Sequence, residues 1–288
     1  MASGLVLIDK PQGITSFDVV AQLRKKLNTR KIGHAGTLDP MATGLMLLGV
    51  NQGTKLLQFL VGMDKQYLAT IRLGASTVSD DAEGELIAES DASEISSDQV
   101  DEQIAKLTGA ISQVPSSVSA KKIDGKRAYD LVREGVEVEL KPKEVLISRF
   151  ERISELRASG TFVDFDVVVD CSSGTYIRAL ARDIGTALGV GGHLTALRRT
   201  SIGNYSIEAA QDVSGDVVLT PLLEATAALF PTKEISEQEV VSVHHGKPLK
   251  LDSDSKTLAL SNNGKLVAIS ELSGGLYRSQ IVIASEDK

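Results

Sequence analysis

The chain of 288 residues has no tryptophan, one cysteine, four histidines and only 4% aromatic residues. Cys171 alone excludes an internal disulfide framework and fits a reducing cytoplasm. It reads as a half-buried strand residue rather than a nucleophile. The histidines at 34, 193, 244 and 245 form no HExxH pair and have no cysteine partner at ligand spacing, so metal hydrolysis is set aside and no metal is expected. No stretch approaches the roughly 18 consecutive apolar residues of a membrane helix. The opening MASGLVLIDKPQG lacks a cationic lead, and Asp9 and Lys10 cut its apolar run, so no secretory signal is expected either. Residues 49–55, GVNQGTK, are one residue short of a phosphate-cradling loop, and the glycines at 189, 191 and 192 do not make a dinucleotide fingerprint. A dinucleotide cofactor has no foothold.

What is present is a globular composition: 42% hydrophobic and 24% charged residues, enough for one large domain and a smaller one. The net charge of −7 argues against a polyanionic partner only as an average. Residues 73–104 hold ten acids and no base, so the rest of the chain sums to +3. The first 72 residues carry nine bases against four acids and residues 105–160 carry eleven against eight, which leaves nucleic acid open as a partner.

Residues 5–8 read as a strand running into a Pro/Gly turn. A helix follows, capped by Ser16, with Phe17, Val20, Leu23 and Leu27 on one face. Residues 45–50 and 67–73 read as strands, 54–61 and 97–107 as helices, and 162–171 as the strongest strand in the chain. Ile177, Leu180, Ile184 and Leu188 mark one helical face, with Arg178 and Arg182 a turn apart. Residues 115–135 are short of large apolar side chains and read as an exposed excursion, its end turning helical at 128–133. After Pro231, short alternating runs at 240–243, 257–260, 266–269 and 277–283 suggest a small all-β module. The expected fold is mixed α/β, of the α+β kind: a sheet-centred domain over 1–230 with helices outside, then a β module over 231–288.

Residues 33–44, GHAGTLDPMATG, stand apart, because a dozen consecutive positions avoid large apolar side chains except Leu38 and Met41. That composition is costly in a loop with no task. Asp39, before Pro40, is a turn residue by default. A carboxylate on a rigid loop also serves as nucleophile or base when a cation holds it ionised, and Arg178 is a candidate for that cation.

These segments together resemble the bacterial TruB-type tRNA pseudouridine synthases. Residues 7–16, LIDKPQGITS, resemble the family's KPxGxTS opening, and residues 33–44 resemble its catalytic loop. Lys65-Gln66-Tyr67 resembles the segment with the active-site tyrosine, and Gly174-Thr175-Tyr176-Ile177-Arg178 the one with the arginine. Ser119, Ala120, Lys122, Gly125 and Tyr129 follow a further family pattern. The resemblance spans about residues 5–230; the tail resembles a PUA barrel by position, size and Gly246-Lys247-Pro248-Leu249. Two departures are Val114-Pro115 in place of Pro-Pro and the acid-rich stretch 79–102.

The resemblance implies isomerisation of uridine 55 in the tRNA T-loop by base flipping, glycosidic cleavage and rejoining through carbon, without cofactor or metal. It makes Asp39 the nucleophile or base, with attack on ribose, attack on the ring and removal of a ribose proton all left open. Arg178 would form an ion pair with Asp39, Tyr67 would stack and transfer a proton, Tyr176 would stack, Leu197 would line the uracil pocket and His34 would contact the flipped loop. Lys10, Lys121, Lys122, Lys126 and Arg127 would touch RNA, with 115–135 as a clamp. The protein is expected to be a cytoplasmic monomer. Two rivals stand beside this reading: a glycoside hydrolase pairing Asp39 with Asp80 or Asp81, and a tRNA-binding or folding protein without catalysis.

Overall fold

A computed structural model describes residues 2–116, 122–123, 126–127 and 140–284, with only the backbone pairing at 122–123 and 126–127. Its centre is a 12-stranded mixed sheet. Strands β1 (Gly4–Lys10) and β3 (Thr43–Val50) pair antiparallel, and β3 in turn pairs over two residues, in parallel, with β13 (Gly192–Ile202). From β13 the sheet continues through β4 (Lys65–Leu73), β12 (Phe162–Cys171), β10 (Lys143–Arg152) and β7 (Gly109–Gln113), all antiparallel. The short β2 (Ile32–His34) joins at β3.

The period-two geometry of strands decides what each face buries. Val6, Ile8, Met46 and Leu48 point to one face, into the core that also takes Tyr67, Ala69 and Ile71 from β4. Helices α1 (Ser16–Lys26), α3 (Ser97–Lys106) and α4 (Ile177–Ala187) close that side with Val19, Val20, Leu23, Val100, Ile104, Leu180 and Ile184. Leu5, Leu7, Leu45 and Leu47 point the other way, onto Leu56 and Leu60 and the chain's last strands. Both faces of β1 and β3 are therefore covered, which is why they read as unbroken apolar runs.

The last strands form a four-stranded sheet, β17 (Thr232–Glu234), β18 (Thr257–Asn262), β19 (Lys265–Ser273) and β20 (Leu276–Val282). It has a small core of its own around Ile235, Leu260 and Tyr277, and it lays Ala259, Ile269, Ile281 and Ile283 on the back of the large sheet. This module is not all-β. Residues 240–243 lie in helix α6 (Glu237–His244), because Ser236 accepts a hydrogen bond from the Glu239 N–H while the Glu239 carboxylate accepts from the Ser236 N–H.

Two local expectations also change. Thr15, not Ser16, caps α1: its hydroxyl accepts from the Asp18 N–H and the Asp18 carboxylate accepts from the Thr15 N–H. Phe17 is 67% exposed, and Val19 takes the inward position instead. Cys171 is buried in β12, as a strand residue. Of the clamp at 115–135, the described residues include only 115, 116 and the backbone pairing of 122–123 with 126–127; its helical end and the side chains of Lys121, Lys122, Lys126 and Arg127 lie outside them.

Candidate active site

The loop between β2 and β3 carries Asp39, and its shape is set by where its carbonyls go. The Arg199 guanidinium donates to the Gly36 oxygen at 3.1 Å and the Thr37 oxygen at 3.4 Å. The Ser16 hydroxyl donates to the Leu38 oxygen at 2.9 Å and accepts from the Leu38 N–H at 2.8 Å. The Ala42 N–H donates to the Asp39 oxygen, and the Pro40 oxygen accepts from the Gly13 N–H at 2.9 Å and Lys10 Nζ at 3.3 Å. All five carbonyls from 36 to 40 are satisfied, which is how a half-buried irregular segment becomes rigid. Gly44 ends the loop at φ +105°, where a Cβ would stand 2.3 Å from the Arg199 oxygen.

The opening motif thus builds this loop from the side. Lys10 is wholly buried, and its Nζ also donates to the Pro11 and Ile14 oxygens at 2.9 and 2.7 Å. Burial pushes its amine down to about 8. A lysine so enclosed cannot touch a ligand's phosphates, so the expected RNA contact at Lys10 is corrected to a loop support.

Opposite the loop, the turn after β12 leads into α4. Gln113 fixes Tyr176 at that junction, donating to its carbonyl and accepting from its N–H at 3.0 and 2.9 Å. One residue into the helix, Arg178 has a side chain 5% exposed and reaches Asp39, Nε to Oδ2, at 3.0 Å. It also meets Asp81 at 3.2 Å and donates to the Ser79 oxygen at 2.5 Å. Asp81 is itself held by the Ser79 hydroxyl and the Glu83 N–H. The Asp39 side chain keeps 39% exposure, so its carboxylate faces both the arginine and open space.

That space is a cleft of about 490 Å³. Asp39, Tyr67, Tyr176, Arg178 and Leu197 all line it. Burial raises the pKa of the Tyr67 phenol, with the neighbouring Arg199 opposing. His34 is not in the cleft wall: its Nδ1 accepts from the Gly36 N–H at 3.3 Å, and burial lowers its pKa, keeping it neutral at pH 7. The cleft also holds Lys65, Lys143 and Arg199, which sequence reasoning passed over. The signal for Arg199 was its place two residues after Leu197, on the same inward face of β13. Lys65 donates to the Val61 and Met63 oxygens, and burial pushes its amine down to about 8. Asp80 and Asp81 are committed to Arg182 and Arg178, each at 3.2 Å. Among the described residues no group of His, Cys, Asp and Glu could hold a metal ion.

Residues 24–177 match the model of the TruB family pseudouridylate synthase N-terminal domain, and 178–227 that of the tRNA pseudouridylate synthase B C-terminal domain. Proteins named tRNA pseudouridine synthase B include one from Arthrobacter sp. (strain FB24), 46% identical with 100% of this chain and 99% of the relative covered. One from Corynebacterium efficiens is 50% identical, with 94% and 93% covered. In fold, the chain is similar to one in a structure of an H/ACA RNP bound to a substrate RNA containing 2′-deoxyuridine. That match has TM-score 0.68 and 23% identity, over 99% of this chain and 86% of that one. The glycoside hydrolase reading falls with these matches, and the chain belongs to the TruB family of pseudouridylate synthases.

Proposed function

We propose that the protein isomerises uridine to pseudouridine in the T-loop of tRNA, at position 55, with Asp39 as the essential carboxylate. The observation that supports this is Asp39 itself, half exposed at a cleft, paired with a buried arginine and faced by Tyr67 and Leu197. A uridine in a structured loop must leave its stack to reach such a carboxylate. Tyr67 and Tyr176 would receive the flipped base, and Leu197 would pack on it. The Tyr67 phenol, kept protonated by burial, would exchange the proton that the ring loses at C5. Arg178 would aim the Asp39 carboxylate, with Asp81 fixing the arginine in turn. No cofactor or metal enters this chemistry.

RNA would be held by its phosphates and shape. Lys143, exposed at the cleft, takes the place first given to Lys10. Lys122 and the 115–135 excursion remain the proposed clamp, and the C-terminal sheet the proposed PUA-like RNA-binding module, in a cytoplasmic monomer. The test follows release of the uracil C5 hydrogen from labelled T-arm RNA, with the product nucleoside identified by chromatography, for the natural protein and Asp39→Asn. Release with pseudouridine, abolished in the variant, is expected. Tight binding with no release would turn the protein into a tRNA-binding factor.

A further inference from the structure

Arg199 is 1% exposed, yet among the described residues no carboxylate pairs with it. Across the cleft Arg178 has two, and the preceding residue in the chain, Arg198, has Asp9 at 2.7 Å. The Arg199 guanidinium instead donates to three backbone oxygens, those of Leu45 at 2.7 Å, Gly36 and Thr37, and it lies beside the Tyr67 phenol. Its charge acts against those of two neighbouring cations, Lys10 and Lys65. Among the described residues, the charged groups lining the cleft are then four cations, Lys65, Lys143, Arg178 and Arg199, against the carboxylate of Asp39. A buried guanidinium is costly without a counter-charge, and it cannot shed its proton to escape the cost. A fixed positive charge at a cleft wall, already paid for in folding, stabilises whatever negative charge appears there.

We propose that Arg199 carries the negative charge that develops on the uracil ring when the bond to ribose breaks; the proposal rests on the reading of the chain as a uridine isomerase. The C1′–N1 bond breaks and its electron pair stays on the ring, spread over N1, O2 and O4. After the ring turns, the pair forms the C1′–C5 bond, the C5 proton leaves to a base, and N1, freed of ribose, takes up a proton. Each role open to Asp39 puts charge on the ring: attack on ribose and removal of a ribose proton expel uracil as an anion, and attack on the ring makes an enolate. Leu197, two residues before Arg199 on the same face of β13, and Tyr67 beside it place the ring within reach of the guanidinium.

The experiment compares single-turnover consumption of uridine and 5-fluorouridine in the same T-arm RNA, by nuclease digestion and chromatography. Fluorine stabilises the ring anion, so its cleavage depends less on outside help. Arg199→Gln, which keeps donors but no charge, is expected to lose about a hundredfold on uridine. Its loss on fluorouridine should be smaller by about tenfold or more. Arg199→Lys, which keeps the charge, should hold the natural ratio between substrates. Equal losses on both substrates would make Arg199 a loop support only and overturn the proposal. Because a variant at a buried arginine can unfold, a second measurement leaves the residue in place. In the Asp39→Asn protein bound to the fluorouridine RNA, the fluorine resonance followed against pH reports ionisation of ring N3. Ionisation should move down by about one pH unit or more relative to free RNA. No movement, or the upward shift that plain burial causes, would overturn it. Natural protein that leaves uridine unchanged would instead sink the functional reading, and this one with it.

Discussion

Replacing Ser16 by alanine removes one oxygen and tests how the Asp39 loop is held. Ser16 is 3% exposed and its hydroxyl is bonded to both the N–H and the carbonyl of Leu38, itself 4% exposed. With that oxygen gone, two buried backbone groups lose a partner, each at about 1–3 kcal/mol, for a total of about 2–6 kcal/mol. In a domain of this size one kcal/mol moves the midpoint by roughly 2–4 °C, so calorimetry should show a drop of about 4–24 °C. Leu38 precedes Asp39, so the loop's displacement also reaches the carboxylate. A shift near 1 Å costs on the order of a hundredfold in kcat. Phe17→Ala is the control: its ring is 67% exposed, and the change should stay within about 0.5 kcal/mol with activity intact. If Ser16→Ala melts and turns over like the natural protein, the reasoning from carbonyl satisfaction to loop rigidity fails.

Arg178→Gln leaves Asp81, 5% exposed, without its cation, at about 3–5 kcal/mol by urea unfolding. The double change with Asp81→Asn should recover most of that stability and none of the activity. Lys10 is bound by more protons in the unfolded chain between its buried value of about 8 and the ordinary 10.5, so its contribution to stability rises with pH across that window. The difference in unfolding free energy between the natural protein and Lys10→Met should therefore grow in the natural protein's favour from pH 8 to 10; a constant difference would refute the burial assigned to Lys10. Gly44→Ala meets strain at φ +105° and a clash with the Arg199 backbone, and should lower stability by more than about 1–3 kcal/mol in thermal melts.

The strands at 5–8, 45–50, 67–73 and 162–171 and the helices at 97–107 and 177–188 were legible because burial on two faces of a sheet writes long apolar runs, and on one face of a helix a 3.6-residue repeat; β7, β10 and β13 were not read, because their apolar runs are broken by polar and charged residues. The Asp39 loop was legible by composition. Helix α6 was misread because its run Val240-Val241 has no helical stripe of its own, and the capping box at Ser236, a purely local signal, was the better guide. Lys10 was misassigned for another reason: a lysine's charge is in the sequence, while its burial under three carbonyl oxygens depends on Pro40, thirty residues away.

By itself, then, the sequence determined the strongly patterned elements and the loop of small and polar residues that carries Asp39, since these follow from residue type and short-range spacing. Only the tertiary structure decided which charges meet. Asp39 and Arg178 stand on segments 139 positions apart and approach to 3.0 Å because β12 delivers α4 beside the loop. Arg199 and Tyr67 face one cleft because β13 and β4 pair in a register that sets them opposite. Long-range pairing is fixed by the packing of a whole sheet against its helices, and no window of sequence contains that sum.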